Sequence, residues 1–74
     1  MFKEPDFATG KLELRYNEDK VICIYGTKEG LKELSNLCLQ LINNPKKESW
    51  HIHLEDRGLL TKDSLIGAIA IFEK

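Results

Sequence analysis

Residues 11–42 read KLELRYNEDKVICIYGTKEGLKELSNLCLQLI, and three successive patterns in that stretch decide the fold. Leu12, Leu14 and Tyr16 alternate with Lys11, Glu13 and Arg15. Successive strand side chains point to opposite faces, so this is a half-buried strand with one wet side. Asn17-Glu18-Asp19 predicts a turn, because Asn and Asp side chains accept local backbone hydrogen bonds. Lys20 to Tyr25 follows as a second strand, with Val21, Cys23 and Tyr25 on one face and Ile22 and Ile24 on the other. A strand apolar on both faces is expected at the centre of a sheet. Gly26-Thr27 then ends the strand and opens a helix, with Thr27 as cap and Glu29 favoured in the first turn by the helix dipole. Leu31, Leu34, Leu37, Cys38, Leu41 and Ile42 form one apolar stripe at helical spacing. Asn43-Asn44-Pro45 stops it, since the residue before proline avoids the helical region.

Outward from this stretch the signals are shorter. Residues 1–9 carry Pro5 and little periodicity and form an irregular arm, with Phe2 and Phe7 available to dock. Ser49 to Glu55 predicts a third strand, with Trp50, Ile52 and Leu54 alternating against His51, His53 and Glu55. Trp50 belongs to the apolar side of that strand. Asp56-Arg57-Gly58 begins a turn, and Leu59-Leu60 leads through Thr61-Lys62-Asp63-Ser64 to a last strand from Leu65 to Phe72. There Ile66, Ala68, Ala70 and Phe72 face one way and Gly67, Ile69 and Ile71 the other. A second helix over residues 62–70 is the alternative, but β-branched residues and Gly67 favour strand.

The order is ββαββ within a single α+β domain spanning residues 1–74. The expected architecture is a four-stranded antiparallel sheet in the order 1-2-4-3, with one amphipathic helix packed on one face. The competing order 2-1-3-4 would place two strongly apolar strands at exposed edges, an aggregation hazard. One helix covers one sheet face. The opposite face keeps apolar side chains, either Ile22, Ile24, Ile69 and Ile71 or their alternates, that call for a cover. The N-terminal arm, a second copy of the chain in a homodimer, or a different protein would each serve.

Composition narrows the function classes. A chain of 74 residues with 42% hydrophobic content and net charge −1 is too apolar for disorder and lacks the basic footprint of a nucleic-acid binder. Met1 to Asp6 has no apolar core of a signal peptide, and no stretch is long enough for a membrane span, so a cytoplasmic location is expected. Cys23 and Cys38 each fall within an apolar pattern and are expected as reduced core thiols, a disulfide between them being the minority alternative.

His51-Ile52-His53 is the most suggestive chemical feature. Residues two apart on a strand project to one side, with Glu55 next on the same face. That spacing suits two metal ligands, a polar strand edge, or a surface that meets a partner's polar groups. No catalytic constellation accompanies it. Ser35, Ser49 and Ser64 have no nucleophile setting, and Gly26-Thr27-Lys28-Glu29-Gly30 lacks the phosphate-loop pattern. The chain is therefore expected not to be an enzyme and to need no cofactor.

The segment Trp50-His51-Ile52-His53-Leu54-Glu55-Asp56, followed by Leu59-Leu60-Thr61-Lys62-Asp63-Ser64, resembles small bacterial immunity proteins of polymorphic toxin systems, most closely their thirty-second class. The similarity covers the last third of the chain and the helix ahead of it. It implies stoichiometric binding and neutralisation of a cognate toxin protein, without turnover. Under it, the candidate partner contacts are His51, His53, Glu55 and Asp56, with Glu13 and Arg15 on the other alternating strand. A small metal- or ligand-binding protein using His51 and His53, or an accessory subunit of a larger complex, are the alternatives.

Overall fold

The computed structural model describes residues 4–43 and 51–71. β1 (Leu12–Tyr16) and β2 (Ile22–Gly26) form an antiparallel hairpin with Leu12 opposite Gly26, Leu14 opposite Ile24 and Tyr16 opposite Ile22. Asn17 closes the turn as expected. Its Oδ1 accepts hydrogen bonds from Asp19 N at 2.9 Å and Val21 N at 3.0 Å. The turn extends one residue further than its Asn-Glu-Asp signal, with Lys20 in the left-handed region at φ 63°.

α1 (Lys28–Asn43) starts where the capping pattern places it, with Gly30 N donating to Thr27 Oγ1 at 3.0 Å. Thr27 N donates to Lys11 O at 3.1 Å, which ties the helix start to the strand start. Gly30 makes this approach possible: a Cβ there would lie 2.1 Å from Lys11 O. Above the same crossing, Lys11 Nζ sits 3.2 Å from Glu33 and 3.4 Å from Glu29, one helical turn apart. Hydrogen bonding to Glu33 and then Glu29 holds the Lys11 ammonium above its ordinary pKa.

β3 (His51–His53) and β4 (Ala68–Ala70) form a second antiparallel pair, with His51 opposite Ala70, Ile52 opposite Ile69 and His53 opposite Ala68. Between them Leu54–Arg57 make one turn of 3₁₀ helix, ended by Gly58 in the left-handed region at φ 66°. The core gathers Leu12, Leu14, Leu37, Leu41, Ile52, Leu54 and Leu59, with Leu34, Leu60, Ile69 and Ile71 packed against them.

The α+β class and the ββαββ order stand, but the strands pair as two two-stranded ladders. The single four-stranded sheet in the order 1-2-4-3 is not shown. The reason lies along β1, which that order makes an edge strand. Opposite β2, its other side is taken by residues 59–65. Leu59 O accepts from Lys11 N at 2.7 Å and Leu12 N at 2.9 Å, Thr61 N donates to Leu12 O at 2.9 Å, and Leu65 N donates to Leu14 O at 2.9 Å. Leu12 and Leu60 form a parallel bridge. β2, expected at the centre, pairs with β1 alone among the described residues.

Three further expectations change. The third strand ends at His53, because Leu54 turns inward and its N–H donates to Gly67 O at 2.8 Å. The last strand is confined to Ala68–Ala70, where Ile69 faces inward and the two alanines outward. Cys23 and Cys38 are both free, and Cys38 is exposed rather than in the core. The arm, so far as it is described, meets residues 59–62. Thr9 Oγ1 accepts from Lys62 N at 2.9 Å, and a Cβ on Gly10 would lie 2.5 Å from the Leu60 carbonyl carbon. The expectations for Phe2, Ser49, Trp50 and Phe72 lie outside the described residues.

The Gly30–Lys11 crossing makes a test of the packing. In an open helix Gly→Ala gains about 1 kcal/mol, whereas overpacking a tight contact costs about 1–3 kcal/mol. Gly30→Ala is therefore expected to lower the urea midpoint, and a raised midpoint would show that α1 can lift away from β1 freely.

Candidate functional site

The six residues singled out from the sequence fall into two groups. His51, His53, Glu55 and Asp56 lie on β3 and the 3₁₀ turn after it, and Glu13 and Arg15 lie on β1.

In the first group both imidazoles stand exposed on the outer face of the β3–β4 ladder. Their cross-strand neighbours are Ala70 and Ala68. The rings meet edge to face, with centroids 4.6 Å apart and an interplanar angle of 79°. Their Nε2 atoms are 3.0 Å apart. The 3₁₀ turn folds Glu55 back beneath this pair, which a continued strand would not do. Glu55 Oε2 lies 3.1 Å from His53 Nδ1. A carboxylate on Nδ1 holds the proton there and leaves Nε2 as an acceptor. In the neutral pair, His51 Nε2–H then donates to His53 Nε2. Glu55 Oε1 is buried without a hydrogen-bond partner in the structure. Asp56 is exposed on the same turn.

The second group is not a surface. Glu13 is fully buried, at 0% exposure. Its expected wet face is covered by the segment crossing the outer edge of β1. Thr61, itself buried, donates from Oγ1 to Glu13 Oε1 at 2.6 Å. Arg15 Nε pairs with Glu13 Oε2, so the carboxylate is held on both oxygens. The Arg15 guanidinium in turn lies 5.6 Å from the centroid of the Tyr25 ring, across the hairpin. Partial burial and the Cys23 thiol raise the Tyr25 phenol above its ordinary pKa, while the Arg15 charge acts in the opposite sense. Glu13 therefore has no route to a partner and serves as an internal tie. Arg15 is only partly exposed, at 24%.

A feature the sequence placed elsewhere is the exposed apolar surface. It does not lie on the face opposite the helix, where Glu13, Arg15, Cys23 and Tyr25 sit. It lies on the helix-bearing face, along β2. Tyr16 and Ile22 are direct cross-strand neighbours and Ile24 is next on the same face. They are 58%, 63% and 50% exposed. Leu31 continues the patch at the Gly26 end, where its side chain lies against the glycine, and it too is largely exposed. The unbroken apolar character of Val21 to Tyr25 was the sequence signal for this patch, though it pointed to a central strand. A separate open groove of about 430 Å³ is lined by Cys38, Leu41, Ile42, Ile69, Ala70 and Ile71.

No group of three or more His, Cys, Asp or Glu side chains converges among the described residues. Nor is any of their helices long and apolar enough to cross a membrane.

The Glu13 tie is open to measurement. Thr61→Val keeps the shape but leaves a buried carboxylate oxygen without its donor, which costs about 1–3 kcal/mol. Denaturant unfolding is expected to show that loss, with Thr61→Ser retaining more stability than Thr61→Val. Equal stability of the two variants would show that the hydroxyl contributes nothing.

Comparison of the chain with protein-family models, with curated proteins and with solved structures finds no match.

Proposed function

We propose that this protein is a non-catalytic protein-binding module, an immunity protein that binds and neutralises a cognate bacterial toxin in the cytoplasm of the producing cell. One observation carries the binding part of this reading: the contiguous exposed apolar patch formed by Tyr16, Ile22, Ile24 and Leu31. Large apolar side chains grouped on one face of an edge strand are a liability unless something covers them. Aromatic and branched side chains at the centre of a patch are also the groups that anchor protein interfaces. The resemblance of residues 50–64 to immunity proteins supplies the class of partner. In this arrangement β2 contributes the apolar anchor. His51 and His53, exposed on the other ladder, and Asp56, exposed on the 3₁₀ turn after it, form a polar surface that a toxin extending beyond the patch would meet.

The test is co-expression with the product of the neighbouring reading frame, together with a binding titration of the two purified chains. Protection and tight binding are expected. Placing charges on the patch with Ile22→Asp and Ile24→Asp together should weaken binding about 100-fold, as expected for two interface anchors of about 1.4 kcal/mol or more each. Both residues are exposed, so the circular dichroism spectrum should stay unchanged. Binding that survives both substitutions would remove the patch from the interface. A stable dimer of the chain alone that becomes monomeric on the same substitutions would assign the patch to a second copy instead.

A further inference from the structure

We propose that the outer edge of β2 receives an extended strand of the toxin partner, which adds beside the β1–β2 hairpin through backbone hydrogen bonds at Ile22 and Ile24. The inference rests on the reading of the β2 patch as the toxin interface and names the form in which the partner meets it. The backbone carries the argument first. At one end of the hairpin Thr27 N donates to Lys11 O at 3.1 Å, and at the other Asn17 N donates to Val21 O at 3.0 Å. Bonded and non-bonded pairs alternate along an antiparallel ladder. Arg15–Cys23 and Glu13–Tyr25 are therefore the bonded pairs, and Tyr16–Ile22 and Leu14–Ile24 the non-bonded ones. Ile22 and Ile24 thus turn both N–H and C=O away from β1. No strand pairs with that side of β2 among the described residues.

Side chains and charges then fix what kind of chain fits. Natural sheet edges are blunted by charge, proline or a bulge. The stretch Ile22-Cys23-Ile24-Tyr25-Gly26 carries neither charge nor proline, and it pairs with β1 in unbroken register. Ile22 and Ile24 project on one face and are 63% and 50% exposed. An incoming strand with apolar side chains at alternate positions sets them beside these two, as cross-strand pairs. Main-chain bonds supply affinity in such an arrangement, and the alternate side chains supply selectivity. A second copy fits less well. Full antiparallel pairing of two β2 edges sets Ile24 against Ile24 and Ile22 against Gly26. By the same count Lys20 comes level with Lys28, and Asp19 with Glu29, all four exposed, so like charge faces like at both ends.

The experiment measures amide hydrogen exchange, residue by residue, in the full chain free and bound to the purified product of the neighbouring reading frame. In the free chain the Cys23 and Tyr25 amides are expected to be protected by β1, and those of Ile22 and Ile24 to exchange rapidly. In the complex the Ile22 and Ile24 amides should slow at least about 100-fold, as ladder hydrogen bonds do. A companion titration compares Ile24→Pro with Ile24→Ala. Both shorten the side chain, but only proline removes the outward N–H, at an edge position where it leaves the β1 ladder intact. Ile24→Pro is expected to bind about 10-fold more weakly than Ile24→Ala, and equal binding would count against the edge bonds. Should Ile24→Pro lose its circular dichroism signal, exchange in the unaltered chain decides alone. Tight binding with the Ile22 and Ile24 amides still exchanging rapidly would overturn strand addition and leave the patch as a side-chain interface. No binding at all would overturn both readings. Protection of these amides already in the free chain would overturn strand addition by the toxin, and a dimer mass would then assign the edge to a second copy.

Discussion

The structure depends on a carboxylate with no access to water. Glu13 is buried between β1 and the segment that crosses its outer edge, with one oxygen on the Thr61 hydroxyl and the other on Arg15. An unpaired charge in that position would be among the most costly features a small domain can carry. The position is therefore tolerable only if residues 59–65 run where they do. The backbone hydrogen bonds from Leu59 to Leu65 set that course, and the Glu13–Thr61 bond makes it specific. A sheared or shifted pairing would strand the carboxylate. The buried polar group thus selects one arrangement among several that the apolar residues alone would permit.

Once β1 is flanked on both sides, the distribution of apolar surface follows. α1 is anchored at its start to Lys11 through Thr27 and Gly30, and Leu37 and Leu41 join Leu12 and Leu14 in the core. Leu37 and Leu41 point into that interior, while Leu31, Cys38 and Ile42, a third of a turn away, remain in the open. The helix stripe is wider than the surface available to it. Its excess side at Leu31 meets the Gly26 end of β2, where Ile22 and Ile24 on the same face are exposed. The exposed patch is the apolar surface of β2 and the start of α1 that this core leaves outside.

The elements that were legible in the sequence are those set by neighbours in the chain. Thr27 as cap, Asn17 as turn former and the Leu12–Leu14 alternation each act within a few residues. All three elements appear where the local chemistry puts them, although Glu13 between the two leucines is buried along with them. The pairing order was not legible, because the partner of β1 is a stretch of single hydrogen bonds and a bridge with no alternating pattern of its own. Thr61-Lys62-Asp63-Ser64 carries turn chemistry, and it is used: Ser64 N donates to Thr61 O at 3.1 Å and Ser64 Oγ accepts from Leu14 N at 2.8 Å. Nothing in those residue types announces that the turn lies against a strand about 50 residues earlier. For the same reason Glu13 reads as a wet residue from its neighbours and becomes a buried one through Thr61. Polar residues in alternation report a face, and only tertiary contacts decide whether that face meets water.

The His51–His53 pair shows the converse. Its side-by-side projection is a property of any strand, so the sequence sufficed to place both rings together. What turns two surface histidines into a defined pair is the break in the strand immediately after them. Had the alternation through Leu54 and Glu55 continued, Glu55 would have projected further along the same face, one more polar group in a row. The inward course of Leu54, whose N–H bonds to Gly67 O, instead ends the strand and brings the Glu55 carboxylate back onto His53 Nδ1. A core requirement, the burial of Leu54, thereby fixes the orientation of an exposed ring. Removing that leucine's anchorage would loosen the histidine geometry without touching either imidazole, because the carboxylate reaches His53 only from a turn that Leu54 holds closed.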